Sequence, residues 1–147
     1  MYVCTSTATP APNTPPASRW LPKGDPRPLT TDPDCLFCGI VAGDIPADVV
    51  RRDDRTVAFR DIAPQAPVHV LVVPRNHIVN ASTVETADAE DVLALLRAAK
   101  AVADAEGIGG EDRGYRLTFN VGPDASNTVP HLHLHVLGGR SLDWPPG

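Results

Sequence analysis

The sequence predicts an α+β domain built on a mainly antiparallel sheet. Three observations predict it. Val92, Leu95, Leu96, Ala99 and Val102 recur at helical spacing and give one apolar stripe. Segments rich in β-branched or alternating apolar residues lie before and after that stripe and read as strands. The elements therefore run strands, helix, strands, an order that points to α+β architecture.

The first 32 residues carry prolines every few positions. Proline removes a backbone donor and restricts φ, so neither a helix nor a central strand is expected there. The apolar content is also too low to offset the entropy of ordering. Residues 1–32 therefore read as a disordered arm, dispensable for catalysis, with Trp20-Leu21 its only apolar pair of note. The folded domain is expected over residues 33–147.

Cys35 to Ala42 is a compact apolar stretch and reads as a short helix stopped by Gly43. Val49 and Val50 precede a charged turn, Arg51 to Arg55. Thr56 to Ile62 and Val68 to Val73 read as strands, separated by Ala63-Pro64-Gln65-Ala66-Pro67. Thr86 to Glu90 offers an N-cap and first-turn negative charge for the long helix, which Gly107 ends. Tyr115, Leu117, Phe119 and Val121 alternate with polar residues, predicting a half-buried strand. A polar loop, Gly122 to Thr128, leads to a last strand from His131 to Leu137.

A formal net charge of -5 with no basic run argues against binding polymeric nucleic acid by counterion release. A single nucleotide needs only local donors. No apolar stretch approaches the roughly 20 residues that span a bilayer. A secretory signal pattern is not evident, so a cytoplasmic location is expected. Of three cysteines, two are spaced Cys35-x-x-Cys38. In a protein without an export signal that spacing favours metal or redox chemistry over a structural disulfide.

The segment His131-Leu132-His133-Leu134-His135-Val136 holds three of the five histidines at strict alternation. On a strand, alternate side chains share one face, about 6.6 Å apart. The imidazoles would line one face while Leu132, Leu134 and Val136 enter the core. Two chemistries fit: metal ligation by neutral imidazoles, and nucleophilic phosphoryl or nucleotidyl transfer. The loop before the strand favours the second. Asn120 and Gly122 to Thr128 supply small side chains, amides and hydroxyls that can meet a phosphate.

From Asp34 onward the chain resembles the histidine-triad (HIT) family, and specifically its Hint branch of purine nucleoside phosphoramidases. The resemblance rests on blocks in order: Cys35-x-x-Cys38-x-Ile40-x-x-Gly43-x-Ile45-Pro46-Ala47, Phe59-x-Asp61-Ile62-x-Pro64-Gln65-Ala66-Pro67-x-His69, and Pro74-x-x-His77-Ile78. Asn120-x-Gly122, His131-x-His133-x-His135, Leu137-Gly138-Gly139-Arg140 and the ending Trp144-Pro145-Pro146-Gly147 complete it. It implies a HIT-like fold: a five-stranded, mainly antiparallel sheet with two helices, paired into a homodimer.

The resemblance also implies roles. His133 matches the nucleophile that takes the nucleotidyl group. His135 and Thr128 lie where the family contacts the phosphate, and Asn120 lies near the leaving group, with Asn127 in the same loop. Asp61 matches the carboxylate that holds the ribose hydroxyls. Leu36, Phe37, Ile40, Ile45, Phe59 and Ile62 match the apolar pocket for the base. His69 matches a supporting histidine. Trp144 belongs to a tail that in Hint-type dimers lies near the partner subunit's active site. The ligand is then a purine nucleotide of AMP or GMP type, with no magnesium required. Three positions depart from the branch: Thr128 where serine is common, Asn127 for the usual glutamine, and Pro130 for an aromatic residue.

Zinc-bearing HIT proteins resemble this chain in a further respect, with the first histidine of the triad serving the metal. Cys35, Cys38, His77 and His131 form a Cys2His2 set of the closed structural kind, expected to hold one zinc per chain. Two rival functions remain open at this level. One is a dinucleoside polyphosphate hydrolase of the same family. The other is a nucleotide-binding interaction module with vestigial hydrolysis. A purely structural zinc domain does not account for His133 and His135 accompanying His131.

Overall fold

A computed structural model describes residues 28–146. Most of the expected arm, including Trp20-Leu21 and Cys4, lies outside the described residues. Five strands form one antiparallel sheet: β1 (Val49–Arg52), β2 (Thr56–Arg60), β3 (Val68–Pro74), β4 (Tyr115–Phe119) and β5 (Leu134–Gly138), in spatial order β1-β2-β3-β5-β4. Two α-helices accompany them, α1 (Leu36–Ala42) and α2 (Ala89–Ala105).

The two faces of the sheet have different partners. Val70 and Val72 of β3, Ala58 of β2, and Leu134 and Val136 of β5 pack with Leu95, Ala98, Ala99 and Val102 of α2. The alternate residues, Val57, Phe59, Leu71 and Val73, pack with Phe37, Cys38, Ile40 and Val41 of α1. With only two turns, α1 covers part of its face. His69 and His135 lie on that side: His135 pairs directly with Leu71, and His69 is two residues before Leu71 on β3.

Helix α2 is pinned at both ends. In its first turn Asp91, 1% exposed, accepts hydrogen bonds from Arg55 Nη1 at 3.0 Å and Asn76 Nδ2 at 2.8 Å. At its end Glu106 accepts two from Arg60, at 3.2 and 2.8 Å. Gly107 adopts φ +69°, Gly107 N–H donates to Asp104 and Ile108 N–H to Ala103, which closes the helix and drops Ile108 into the core.

Several boundaries differ from the sequence reading. Arg51 and Arg52 belong to β1, paired with Ala58 and Val57, so the charged turn is shorter than expected. Thr86 does not cap α2: Thr86–Asp88 is a 3-10 turn in which Glu85 N–H donates to Asp88, and the α-helix begins at Ala89. Leu96 is 44% exposed, and Ala98 and Ala103 complete the buried stripe in its place. β2 ends at Arg60, which leaves Asp61 and Ile62 in the following turn. β5 begins only at Leu134, paired with Val72 and Phe119; before it the backbone turns to other partners, His131 N–H donating to Val129 and Leu132 N–H to Ile78, so His131 and His133 precede the strand.

At the other end of the described chain, Thr30 is tied to the body. Thr30 N–H donates to Asn76 Oδ1 at 3.1 Å, Thr30 Oγ1 donates to the His77 carbonyl, and His77 N–H donates back to the Thr30 carbonyl. Residues 30–32, read from sequence as the end of a free arm, thus lie against the loop after β3.

Candidate active site and metal centre

Four histidines converge where β5 enters the sheet. His131 is fully buried, His133 and His69 nearly so, and His135 partly. The rings of His133 and His135 lie 5.0 Å apart, and those of His135 and His69 5.1 Å apart.

Each ring's hydrogen follows from its partners. His133 Nδ1 sits 2.6 Å from the His131 carbonyl, which only accepts, so Nδ1 carries the hydrogen and Nε2 keeps its lone pair. His131 Nε2 donates to the Pro74 carbonyl at 3.0 Å, which leaves its Nδ1 lone pair free. The Gln65 N–H donates to His69 Nδ1 at 3.1 Å. The neutral His69 ring therefore carries its hydrogen on Nε2 and donates to His135 Nδ1, 2.8 Å away. His135 then holds its hydrogen on Nε2, a buried atom with no partner. A relay of two hydrogen bonds thus aims one free N–H donor into the site.

Burial disfavours the charged form of His69, His131 and His135. Burial pushes His135 down to about 4, helped by the nearby His133 and His69. His131 is likewise pushed to about 4, chiefly by burial, against the opposing pull of the Pro74 carbonyl. Burial lowers His69 too, although Asp61, whose Oδ2 lies 3.5 Å from His69 Nε2, pulls the other way.

A stability prediction follows from His135 and His69. Both are depressed in the folded state, so between pH 6.5 and 4 the unfolded chain binds more protons. Stability is fully present above 6.5 and is lost as pH falls toward 4. The urea midpoint should be lower at pH 5 than at pH 7.5, with a smaller difference in a His135→Gln variant. Equal midpoints would contradict the neutral assignment.

The apolar residues expected to hold a base divide. Phe37, Ile40, Ile45 and Phe59 pack together, joined by Leu71 and Val129. Phe37 sits edge-on to Phe59 at 5.4 Å and to His133 at 5.3 Å, which links the cluster to the histidines. Gly39 allows Ile45 to close over α1, since a Cβ there would lie 2.6 Å from Ile45 Cδ1. Leu36 is 47% exposed and Ile62 fully exposed, so neither joins the cluster.

Asp61 Oδ1 accepts from Ala63 N–H at 2.8 Å, which fixes the carboxylate in its turn. Asn120 is half-buried at the end of β4, Asn127 half-buried with an unpartnered Oδ1, and Thr128 exposed. Trp144 is 84% exposed within this single chain and is not brought to the site. Sequence reasoning missed Leu71, which the alternation of β3 with His69 could have revealed. It also missed the Gln65 N–H and the Pro74 carbonyl, backbone groups that carry no sequence signal.

Cys35, Cys38, His77 and His131 place one donor atom each within 4.8 Å of one another. His131 Nδ1 lies 3.5 Å from both sulfurs, and His77 Nδ1 lies 3.4 Å from Cys38 Sγ. Zn–S and Zn–N bonds at tetrahedral angles separate sulfur from nitrogen by about 3.6 Å. The free lone pair of His131 Nδ1 faces the sulfurs, so the donor set fits a zinc ion. Burial pushes the Cys38 thiol up, so the thiolate needs a cation beside it.

Alternate histidines at the mouth of an antiparallel sheet, with one ring lone pair and one N–H donor side by side, define a site of histidine-triad type. The chain belongs to the HIT domain family, whose sequence profile matches residues 42–142. It is 50% identical over 115 residues to an uncharacterised HIT-like protein of Synechococcus elongatus, covering 78% of this chain and 97% of that one. It is 41% identical over 116 residues to a "14 kDa zinc-binding protein" of Brassica juncea, covering 78% and 100%. Among solved structures it is similar to a HIT family hydrolase of Legionella pneumophila, with TM-score 0.74, 50% identity, and 78% and 100% of the two chains covered. A HIT family hydrolase of Clostridium thermocellum matches with TM-score 0.73 and 40% identity over 77% and 96%. Among the described residues, no helix is long and apolar enough to cross a membrane.

Proposed function

We propose that this protein is a nucleotide hydrolase of the Hint branch, cleaving purine nucleoside 5′-phosphoramidates or related AMP-X compounds. The observation that carries the proposal is the pair of opposite polarities on neighbouring rings. His133 Nε2 offers a lone pair, and His135 Nε2 offers an unpartnered N–H. A nucleophile beside an anion donor suits attack at phosphorus.

In the first step His133 Nε2 forms a bond to the α-phosphorus, and the phosphorus–nitrogen bond breaks. The departing amine takes the electron pair of that bond and a proton from solvent water. His135 Nε2–H donates to a phosphoryl oxygen as charge builds, and the His131 carbonyl steadies the His133 ring as it becomes cationic. In the second step water attacks phosphorus, releases AMP and a proton, and restores neutral His133. Phe37, Ile40, Ile45 and Phe59 hold the base, and Asp61 the ribose. This scheme asks for no magnesium.

Cys35, Cys38, His77 and His131 would hold a zinc ion, which ties α1 to the root of the histidine strand. Two free cysteines at such a site suit a reducing compartment, and we place the protein in the cytoplasm. Leu93 and Leu96 on α2, 44% exposed each, and Leu117 on β4, at 37%, support a homodimer that covers them. The Trp144-Pro145-Pro146-Gly147 ending favours the Hint branch over a dinucleoside polyphosphate hydrolase.

Turnover of an adenosine phosphoramidate by purified protein tests the reading. An interaction module instead gives AMP binding without turnover. A second test concerns the tail. In a Hint-type dimer Trp144 reaches the partner's site, so truncation after Leu142 should shift relative kcat/KM among amine leaving groups about tenfold. AMP affinity should stay within a few-fold. Unchanged selectivity across several amines would remove the tail from the site.

A further inference from the structure

We infer that Asp32 is a positioning residue of the metal centre, the carboxylate that orients His77 from behind. The inference rests on the reading that Cys35, Cys38, His77 and His131 hold zinc. His77 turns Nδ1 toward Cys38 Sγ at 3.4 Å and Nε2 toward Asp32 Oδ2 at 3.9 Å. A histidine that ligates through Nδ1 keeps its hydrogen on Nε2 and donates it outward, most often to a carboxylate or carbonyl. Asp32 is the acidic side chain on that side of the ring.

Asp32 is built into this place. Its Oδ1 accepts from Asp34 N–H at 2.9 Å, which fixes the carboxylate across Pro33 and leaves Oδ2 to face His77. Asp32 N–H points to Cys38 Sγ at 3.4 Å, and the Asp32 carbonyl accepts from Cys35 N–H at 3.2 Å. One residue thus meets three of the four candidate ligand residues. Two residues earlier, Thr30 N–H donates to the Asn76 side-chain oxygen, Thr30 Oγ1 donates to the His77 carbonyl, and His77 N–H donates to the Thr30 carbonyl. The chain from Thr30 to Asp32 is therefore a strap over the metal centre. Its anchor on the far side is Asn76, whose amide reaches the buried carboxylate of Asp91.

Asp32→Asn separates orientation from folding. Asparagine keeps an Oδ1 for Asp34 N–H, so the turn survives, and replaces the acceptor facing His77 with an N–H. Zinc affinity of the full-length chain should be measured by competition with a chromophoric chelator. Asp32→Asn is expected to weaken it by about tenfold or more, with the far-UV spectrum unchanged. Asp32→Glu should recover part of the loss. Asp34→Asn, which changes a neighbouring exposed carboxylate, should stay within twofold. Cobalt-loaded protein should show an altered visible spectrum in Asp32→Asn alone. An Asp32→Asn affinity within twofold of wild type overturns the inference while leaving the zinc reading intact. A wild-type chain that binds no zinc overturns both.

Discussion

Replacing His133 with alanine is expected to lower phosphoramidate hydrolysis by more than about 10^4-fold, since removing the nucleophile from a preorganised site costs up to about 10^6-fold. AMP affinity should stay within a few-fold, because Asp61 and the cluster around Phe37 and Phe59 are untouched. His133→Gly with added imidazole should recover part of the turnover. His135→Ala removes one N–H donor and leaves the covalent route, so the loss should be smaller, about 10^2- to 10^3-fold. Rapid quench with an adenosine phosphoramidate should trap AMP on His133, read by mass spectrometry. Near-normal turnover in His133→Ala would refute the two-step scheme.

The second large effect is on stability. Elemental analysis of the purified protein should find about one zinc per chain. Structural zinc sites contribute about 10 kcal/mol of apparent binding free energy at neutral pH, and binding to the folded state alone is folding free energy. Stripping the ion with a strong chelator should therefore lower Tm by more than about 10 °C. Cys35→Ser should do much the same without chelator. The cause is local: α1 is only seven residues long, and its grip on the sheet is the Phe37 and Ile40 cluster plus this centre. A metal-free chain that is equally stable would sink the zinc assignment.

What the sequence disclosed was the chemistry with a short-range pattern. Alternation placed Leu132, Leu134 and Val136 in the core and the histidines on the opposite face, as found. The α2 stripe and its glycine stop were legible for the same reason. Ends were less so. Thr86 looks like a cap, but Glu85 N–H takes Asp88 as its partner first and a 3-10 turn intervenes. Leu96 fits the helical period and is still exposed, because burial depends on what lies opposite, which periodicity does not specify. Two parts of the site were hidden for a deeper reason. The hydrogen on His135 Nε2 is set by Gln65 N–H acting through His69, a chain that crosses 66 residues of sequence between its rings. The place of Asp32 depends on a fold-back of residues that composition alone assigns to a free arm.

The histidine strand shares its backbone with the innermost layer of the molecule. Leu132, Leu134 and Val136, which alternate with the triad, are at most 2% exposed and sit under α2. The carbonyl that tethers His133 lies in the same stretch. This couples the reactive geometry to the most cooperative unit of the chain: the triad cannot loosen by itself, as a loop-borne site can, without opening the interior. Amide hydrogens of Leu134 and Val136 should exchange only through global unfolding. Variation in such a protein is then channelled to the rim, where Thr128, Asn127 and the tail can change without the interior having to repack.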